Sequence, residues 1–478
     1  LAARPRGKAM HYYSTRGQDG PLGYEDALLS GLARDGGLYL PEAWPKFSHE
    51  DIMAMHGLSY SELAGRIMAP FCVDEVSETE LTAMARDAYA DFDHPDIAPL
   101  APLQDNLHVL ELFHGPTIAF KDYAMQFLAC AFDRALQKKQ QHAVIVGATS
   151  GDTGSAALEA FKGRDAVDIF ILFPEGRVSP VQQHQMTSVI ADGAHAVSVA
   201  GDFDDCQAIV KALFNDLRFR DQVSLSAVNS INWARLMPQV VYYFAAALRL
   251  GAPAKKVAFS VPTGNFGNVF AGYVASQMGL PVERLIIASN QNDILPRFFA
   301  TGAMAREPVV PSLSPSMDIQ VSSNFERLLF ELLGRNGGAT ADVMKKFADT
   351  GQFHVDEVVL ARAKTLFSAY RLDDEGTIAE IAATAKDNNM TIDPHSAVGL
   401  YAARQAYADG TISGDVPIVA LACAHPAKFD AAVTKATGVT PKLPPHLADL
   451  MKRSERHQHV EATVNAIKSL VLDMRRGA

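Results

Sequence analysis

The sequence predicts an α/β protein with two doubly wound, mainly parallel-sheet lobes and an additional, mostly helical N-terminal segment. Two observations carry that reading. From Leu107 onward, short β-branched apolar runs bounded by turn residues alternate with longer stretches whose apolar residues recur at helical spacing. Two of those runs also lead through Gly-rich turns into helices, as strands do at the carboxyl edge of a parallel sheet.

Ahead of the sheets, Tyr24–Ala33 and Thr79–Tyr89 read as helices, and the Pro-containing Asp91–Pro102 reads as a linker. Val144–Val146 is a strand followed by a Gly-rich turn and the helix Ser155–Lys162. Ile169–Phe173, Val257–Val261, Leu285–Ala288 and Val416–Leu421 have the continuous apolar character of strands buried on both faces. After Lys121, residues Ala124, Phe127, Leu128, Ala131, Phe132 and Ala135 line one side of a helix. Pro238–Leu250 is a second helix, with proline tolerated in its first turn. Arg306–Pro315 reads as a surface crossing, and Val355–Tyr370 and Ser396–Tyr407 read as amphipathic helices. The terminal stretch Pro441–Ala478 starts with a proline cluster and ends in a charged helix expected on the outside. No period of repeats runs through the chain, which excludes solenoids and propellers.

Composition narrows the function classes. The 478 residues carry 43 basic and 54 acidic side chains, a formal charge of −11. That balance disfavours a nucleic-acid or anionic-membrane binder, which needs a basic face, but leaves a locally positive cleft possible. Hydrophobic residues make up 48% and charged residues 20%, an ordinary globular mixture. The run Val240–Leu248 falls far short of the ~20 apolar residues of a membrane span. Cys72, Cys130, Cys206 and Cys423 form no C-x-x-C pair, which fits a reducing compartment and a cytoplasmic setting. The basic start Leu1–Lys8 lacks a following apolar segment and reads as a cloning remnant, with the natural start near Met10.

Chemistry concentrates in four segments. Lys121 sits at a loop-to-helix boundary in His114-Gly-Pro-Thr-Ile-Ala-Phe-Lys-Asp-Tyr123. Held partly out of water, such a lysine supplies the neutral amine that imine formation requires; taken alone, it reads rather as a snorkelling surface lysine at a helix start. Asp122 fits either reading as an early acidic residue. Gly147-Ala-Thr-Ser-Gly-Asp-Thr-Gly-Ser155 offers backbone amides, hydroxyls and a helix N-terminus to a carboxylate or phosphate, or else simply makes a capped turn. It is neither a phosphate-binding loop with a following Lys nor G-x-G-x-x-G. Pro262-Thr-Gly-Asn-Phe-Gly-Asn268 repeats the arrangement, and two such turns imply a ligand with two anionic groups or two ligands side by side. Asn229-Ser-Ile-Asn-Trp-Ala-Arg235 sets a guanidinium near small polar groups, suited to clamping a phosphate or to a capped surface helix. His395 and His425 read as satisfied histidines, and His457, His459 and Glu461 as one face of a solvated helix. No H-E-x-x-H, Cys/His zinc pattern or G-x-S-x-G elbow occurs, so no metal is expected.

Together these segments resemble the threonine synthases, pyridoxal 5'-phosphate (PLP) enzymes of fold type II within the tryptophan-synthase-β-like superfamily. The resemblance runs through Tyr12–Arg16, Gly36–Pro41, His114–Tyr123, Thr149–Ser155, Ser230–Pro238 and Pro262–Asn268. It continues through Ser289–Asp293, Ser314–Ile319, Asp393–His395 and Ala424–Phe429, covering nearly the whole chain. The length and separate N-terminal segment resemble the family's long subgroup.

The resemblance implies a large PLP-binding domain from residues 99–121 and 230–440, a small domain at 122–229, an N-terminal segment at 1–98 and a C-terminal extension at 441–478. It implies that Lys121 holds PLP as a Schiff base and moves protons, and that Gly264, Asn265, Phe266, Gly267 and Asn268 cradle the cofactor phosphate. Asp152 and Cys423 would also contact the cofactor, Cys423 standing where relatives carry a hydroxyl near the pyridine nitrogen. Thr149, Ser150, Gly151, Asp152 and Thr153 would receive the carboxylate and part of the phosphate of O-phospho-L-homoserine, with Asn229, Ser230 and Arg235 on that phosphate. The implied reaction is γ-elimination and β-addition of water, giving L-threonine and phosphate. A PLP-dependent phospho-amino-acid lyase giving keto acid and ammonia, or a non-catalytic sensor, could use the same loops. The expected partner is this small substrate, with no nucleic acid or membrane, in a monomer or homodimer.

Overall fold

Local signals start the N-terminal segment. Ser48, Ser59 and Ser77 each begin a helix in a reciprocal capping box with the carboxylate three residues on. In this computed structural model, which describes residues 9–476, those helices share one core with an antiparallel pair, β1 (Tyr12–Ser14) and β2 (Tyr39–Pro41). The Leu1–Lys8 segment lies outside the described residues.

The sheets follow. The linker ends in β3 (Leu100–Pro102), which runs antiparallel to β4 (Leu107–Glu111). Next come β5 (Ala143–Ala148), β6 (Val167–Pro174), β7 (Ala194–Ala200) and β8 (Leu225–Ser226). The chain continues with β9 (Val257–Pro262), β10 (Val282–Ser289), and the small pair β11 (Ala303–Ala305) and β12 (Gln352–His354). It ends with β13 (Phe367–Arg371), β14 (Ile418–Ala422) and β15 (Gln458–Glu461).

A six-stranded sheet has the order β13-β10-β9-β14-β4-β3, and a five-stranded sheet the order β15-β7-β6-β5-β8. Every pairing is parallel except that of β3 with β4. The two-lobe α/β expectation therefore holds, with β5–β8 of the second sheet inserted in the chain between β4 and β9 of the first, and β15 added from the C-terminal stretch. Parallel strands need crossovers, and the helices Lys121–Lys139 and Gln239–Arg249 carry the chain out of and back into the first sheet's layer. Residues Val240–Ala247 are buried all round, because this second helix packs on both Tyr60–Met68 and Gly267–Gln277.

Several elements differ from the expectation. The helix expected over Val355–Tyr370 ends at Lys364, and Phe367–Arg371 instead forms the edge strand β13 on β10. A short run of this kind fits either period, and pairing with β10 decides it. Ala194–Ala200, which the sequence reading leaves unassigned, is the strand β7. The terminal stretch is not an outer appendage. Gln458–Glu461, with His459 and Glu461, is a strand rather than a helix face, and it covers the edge of β7. The helix Val464–Met474 buries Ile467 and Val471 completely against the core containing Cys206 and Leu213. Beyond it, Arg476 Nε donates to the fully buried Asp168 at 2.7 Å.

The turn after β14 is tied to the loop before Lys121: Phe120 N donates to Cys423 O at 2.8 Å and His425 N to Ile118 O at 3.0 Å. The His425 ring accepts from Ala427 N at 3.2 Å and lies edge-on to Phe113. Burial pushes this imidazole down to about 4.

Two predictions come from these contacts. Ile467→Ala should cost about 2–4 kcal/mol and lower the urea midpoint, whereas a surface helix would lose almost nothing. His425 is neutral in the fold but protonates first in the unfolded chain, so stability should fall as pH drops from about 6.5 toward about 4. His425→Gln should remove about 2 kcal/mol of the stability difference between pH 7 and pH 5, read from urea curves at the two pH values.

Candidate active site

The carboxyl ends of β4, β5, β9 and β14 deliver four loops to one region, as expected where parallel strands end beside helix N-termini. Lys121 begins the helix after β4, and only 9% of it is exposed. Its Nζ donates to Asp152 Oδ2 at 3.1 Å and lies 4.8 Å from the Phe120 ring centroid. The surface-lysine alternative is thereby removed. Asp122 faces back into the loop, accepting from Thr117 N at 2.9 Å and Thr117 Oγ1 at 2.6 Å. Burial pushes its carboxyl up to about 6 against those bonds. Gly115 is required here, since a Cβ would come within 2.5 Å of the Asp122 Cβ.

Asp152, expected to touch cofactor and substrate, is a carboxylate set between two buried ammonium groups. Its Oδ1 lies 2.9 Å from Lys428 Nζ and accepts from Gln182 Nε2 at 2.7 Å. Burial alone would raise its pKa, but Lys121, Lys428 and Gln182 hold it well below the usual carboxylate range. The sequence reading gave Lys428 and Gln182 no role. The signal for Lys428 was the His-Pro-Ala-Lys-Phe segment, whereas nothing local marks Gln182.

Two backbone cradles flank this cluster. Among the described residues, the amides of Gly264, Asn265, Phe266, Gly267 and Asn268 have no protein acceptor. Phe266 at φ 65° turns the chain into the helix Gly267–Gln277, which aims those amides outward. The Asn268 Oδ1 accepts from Tyr242 and Tyr243, leaving its buried Nδ2 unpartnered among the described residues. In the second cradle, Thr149 Oγ1 accepts from Gly151 N at 3.0 Å and Gly154 N at 2.9 Å. The amides of Ser150, Asp152 and Thr153 then have no protein acceptor among the described residues. A side chain at Gly151, at φ 144°, would run into Gln182.

Asn229 is exposed and Ser230 half-buried. Ser230 joins the first cradle, because Asn324 Nδ2 donates to both Ser230 O and Asn265 O at 3.0 Å. Arg327, which sequence reasoning missed, is completely buried and donates to Ile231 O at 2.6 Å and Tyr39 O at 3.1 Å. Arg235 is 5% exposed, bonds only Val228 O at 3.3 Å, and has no carboxylate partner among the described residues. Burial lowers its pKa to about 10, so it remains a cation at neutral pH. The Cys423 thiol is buried and held neutral by desolvation, within electrostatic reach of Lys121, Asp152, Tyr242 and Tyr243.

Comparison with known proteins agrees with this arrangement. Family models described as threonine synthase N terminus, pyridoxal-phosphate dependent enzyme and threonine synthase C-terminal match residues 11–89, 98–424 and 396–471. The threonine synthase of Pseudomonas aeruginosa is 52% identical over 94% of this chain and 95% of its own. That of Saccharomyces cerevisiae is 40% identical over 89% of this chain and 88% of its own. The crystal structure of PLP-bound threonine synthase from Brucella melitensis superposes with a TM-score of 0.95 at 53% identity, covering 98% of this chain and 100% of that one. The yeast structure gives a TM-score of 0.92 at 37% identity over 98% of this chain and 99% of that one. The family models along the chain, the identity to these relatives and the shared fold show that the chain belongs to the PLP-dependent threonine synthase family.

Proposed function

We propose that the protein converts O-phospho-L-homoserine and water to L-threonine and phosphate. The observation that carries the proposal is the Lys121 amine, buried beside two sets of unpartnered backbone amides. The residues present fit PLP. Lys121 would hold its aldehyde carbon, while the Gly264–Asn268 amides and the orphaned Asn268 Nδ2 would hold its phosphate. Once bound, PLP supplies an electron sink for carbanions.

The chain's own groups do the rest. Lys121 Nζ would take the proton from substrate Cα, pass it on, and then take one from Cβ, so that phosphate departs from Cγ; the two protons would return to Cγ and Cα, and the water that adds would give its second proton to the phosphate. The Thr149–Thr153 amides would fix the substrate carboxylate and part of its phosphate. The Asp152 carboxylate repels an anion, so its share in that contact is its N–H. Arg235, with Ser230 and Asn229, would take the leaving phosphate; a buried cation is worth most against a dianion. These groups create positive potential locally in a chain whose net charge is −11. Water then adds at Cβ. The neutral Cys423 thiol would be a weak partner for the pyridine nitrogen, leaving that nitrogen without a strong acid.

In this reading the unit 99–121 with 230–440 carries the cofactor, and the unit 122–229 carries the carboxylate loop. Among the described residues no helix is long and apolar enough to cross a membrane. We place the enzyme in the cytoplasm, which suits its four unpaired cysteines, acting as a monomer or homodimer.

Threonine and phosphate should form one for one when the chain is incubated with PLP and O-phospho-L-homoserine; keto acid with ammonia would indicate a lyase instead. Lys121→Ala should lower kcat by at least about 1000-fold and remove the visible absorbance of bound cofactor. Turnover retained in that variant would defeat the assignment. Arg235→Ala should raise the KM for phosphohomoserine about 10–100-fold and flatten its salt dependence, whereas unchanged kinetics would take Arg235 out of the site.

A further inference from the structure

The reaction described above leaves one buried charge without work. Lys428 is completely shielded from solvent, which lysines tolerate only when paired. Its ammonium meets Asp152 Oδ1 at 2.9 Å and Thr117 O at 2.9 Å. Those partners belong to different parts of the fold. Lys428 follows β14 of the first sheet, Thr117 lies in the loop that carries Lys121, and Asp152 opens the helix Asp152–Phe161 of the second sheet. A single ammonium thus ties the carboxylate loop to both of the other segments.

Lys121 cannot share that duty permanently. To condense with an aldehyde it must first lose its ammonium proton to solvent; the amine then gives up its two remaining N–H hydrogens as one C=N bond and one water form. Its bond to Asp152 as an ammonium ends there. Asp152, only 5% exposed, is then a buried carboxylate held by Lys428 and Gln182 alone. A buried charge stripped of its partner is strongly disfavoured, so its seating depends on the cation that stays.

We propose that Lys428 is a positioning residue, holding the Asp152 carboxylate and with it the Thr149–Thr153 loop in register with Lys121 once Lys121 no longer serves Asp152 as an ammonium. The inference rests on the functional reading above, in which Lys121 captures an aldehyde cofactor.

The test compares the full chain with its Lys428→Met and Lys428→Arg variants, each with and without PLP. The readouts are the mass gained at Lys121 after borohydride reduction, hydrogen exchange in the helix Asp152–Phe161, and KM and kcat with O-phospho-L-homoserine. Lys428→Met should still gain the cofactor mass at Lys121. Its helix amides should exchange at least about tenfold faster than the unaltered chain's in the PLP-loaded form alone, and its KM should rise at least about tenfold with a smaller change in kcat. Lys428→Arg should recover most of both effects. Faster exchange with and without PLP alike would mean a purely structural role, and would overturn the proposal, as would unaltered exchange and KM.

If Lys428→Met does not fold, the unaltered chain decides. Loading with PLP should leave the exchange of Ser155–Ala160 unchanged, and faster exchange on loading would overturn the proposal. Failure of the unaltered chain to gain mass at Lys121 would overturn the functional reading, and this inference with it.

Discussion

A carboxylate shared by two ammonium groups organises the site. Asp152 is taken out of water at the first turn of a helix, where the backbone amides favour a negative charge. Lys121 and Lys428 reach it from the first sheet, and Gln182 closes the remaining side. Each charge in the cluster is buried, and each is tolerable only because the others are there. The contact therefore sets the relative placement of the two sheets at the point where their loops meet. It also explains the acid in this loop: an amide at position 152 would carry no charge with which to neutralise either lysine.

The anion cradles depend on a different device. Backbone amides point outward only if the carbonyls behind them are satisfied, and here side chains from distant segments do that. Ser322 Oγ donates to Gly264 O at 2.6 Å, and Asn324 bonds Asn265 O and Ser230 O. Arg327 then ties the Asn324 side chain to carbonyls of the N-terminal segment and of Ile231. The N-terminal segment thus acts as a brace for the cradle. The chain's ends share such work, since β15 and the final helix cover the exposed flank of the second sheet.

Much of this was legible in the residues. Continuous apolar runs such as Ile169–Phe173 and Val257–Val261 announced strands buried on both faces, because only such strands dispense with polar alternation. The two Gly-rich strand-to-helix turns announced loops with unpartnered backbone amides, because glycine and the free amides of a helix start are local properties. Lys121 stood out through its motif. By contrast, Phe367–Arg371 and Ala194–Ala200 are too short to declare a period, and their strand form comes from the neighbours they pair with. Gln182 and Arg327 carried no local mark, and the motif around Lys428 did not show its partners; these residues acquire meaning from contacts 30, 288 and 311 residues away, a spread that no window of sequence can scan.

The sequence by itself determined the α/β class, the loops able to hold anions and the lysine able to hold a carbonyl, since these follow from side-chain chemistry and short-range backbone preference. The tertiary structure alone decided which charges face one another. It seated Asp152 between Lys121 and Lys428, buried Arg235 with no carboxylate partner among the described residues, and folded the C-terminal stretch into the second sheet. The reason is physical: the energy of a buried charge depends on the distance to its partner in space, and chain order says nothing of that distance.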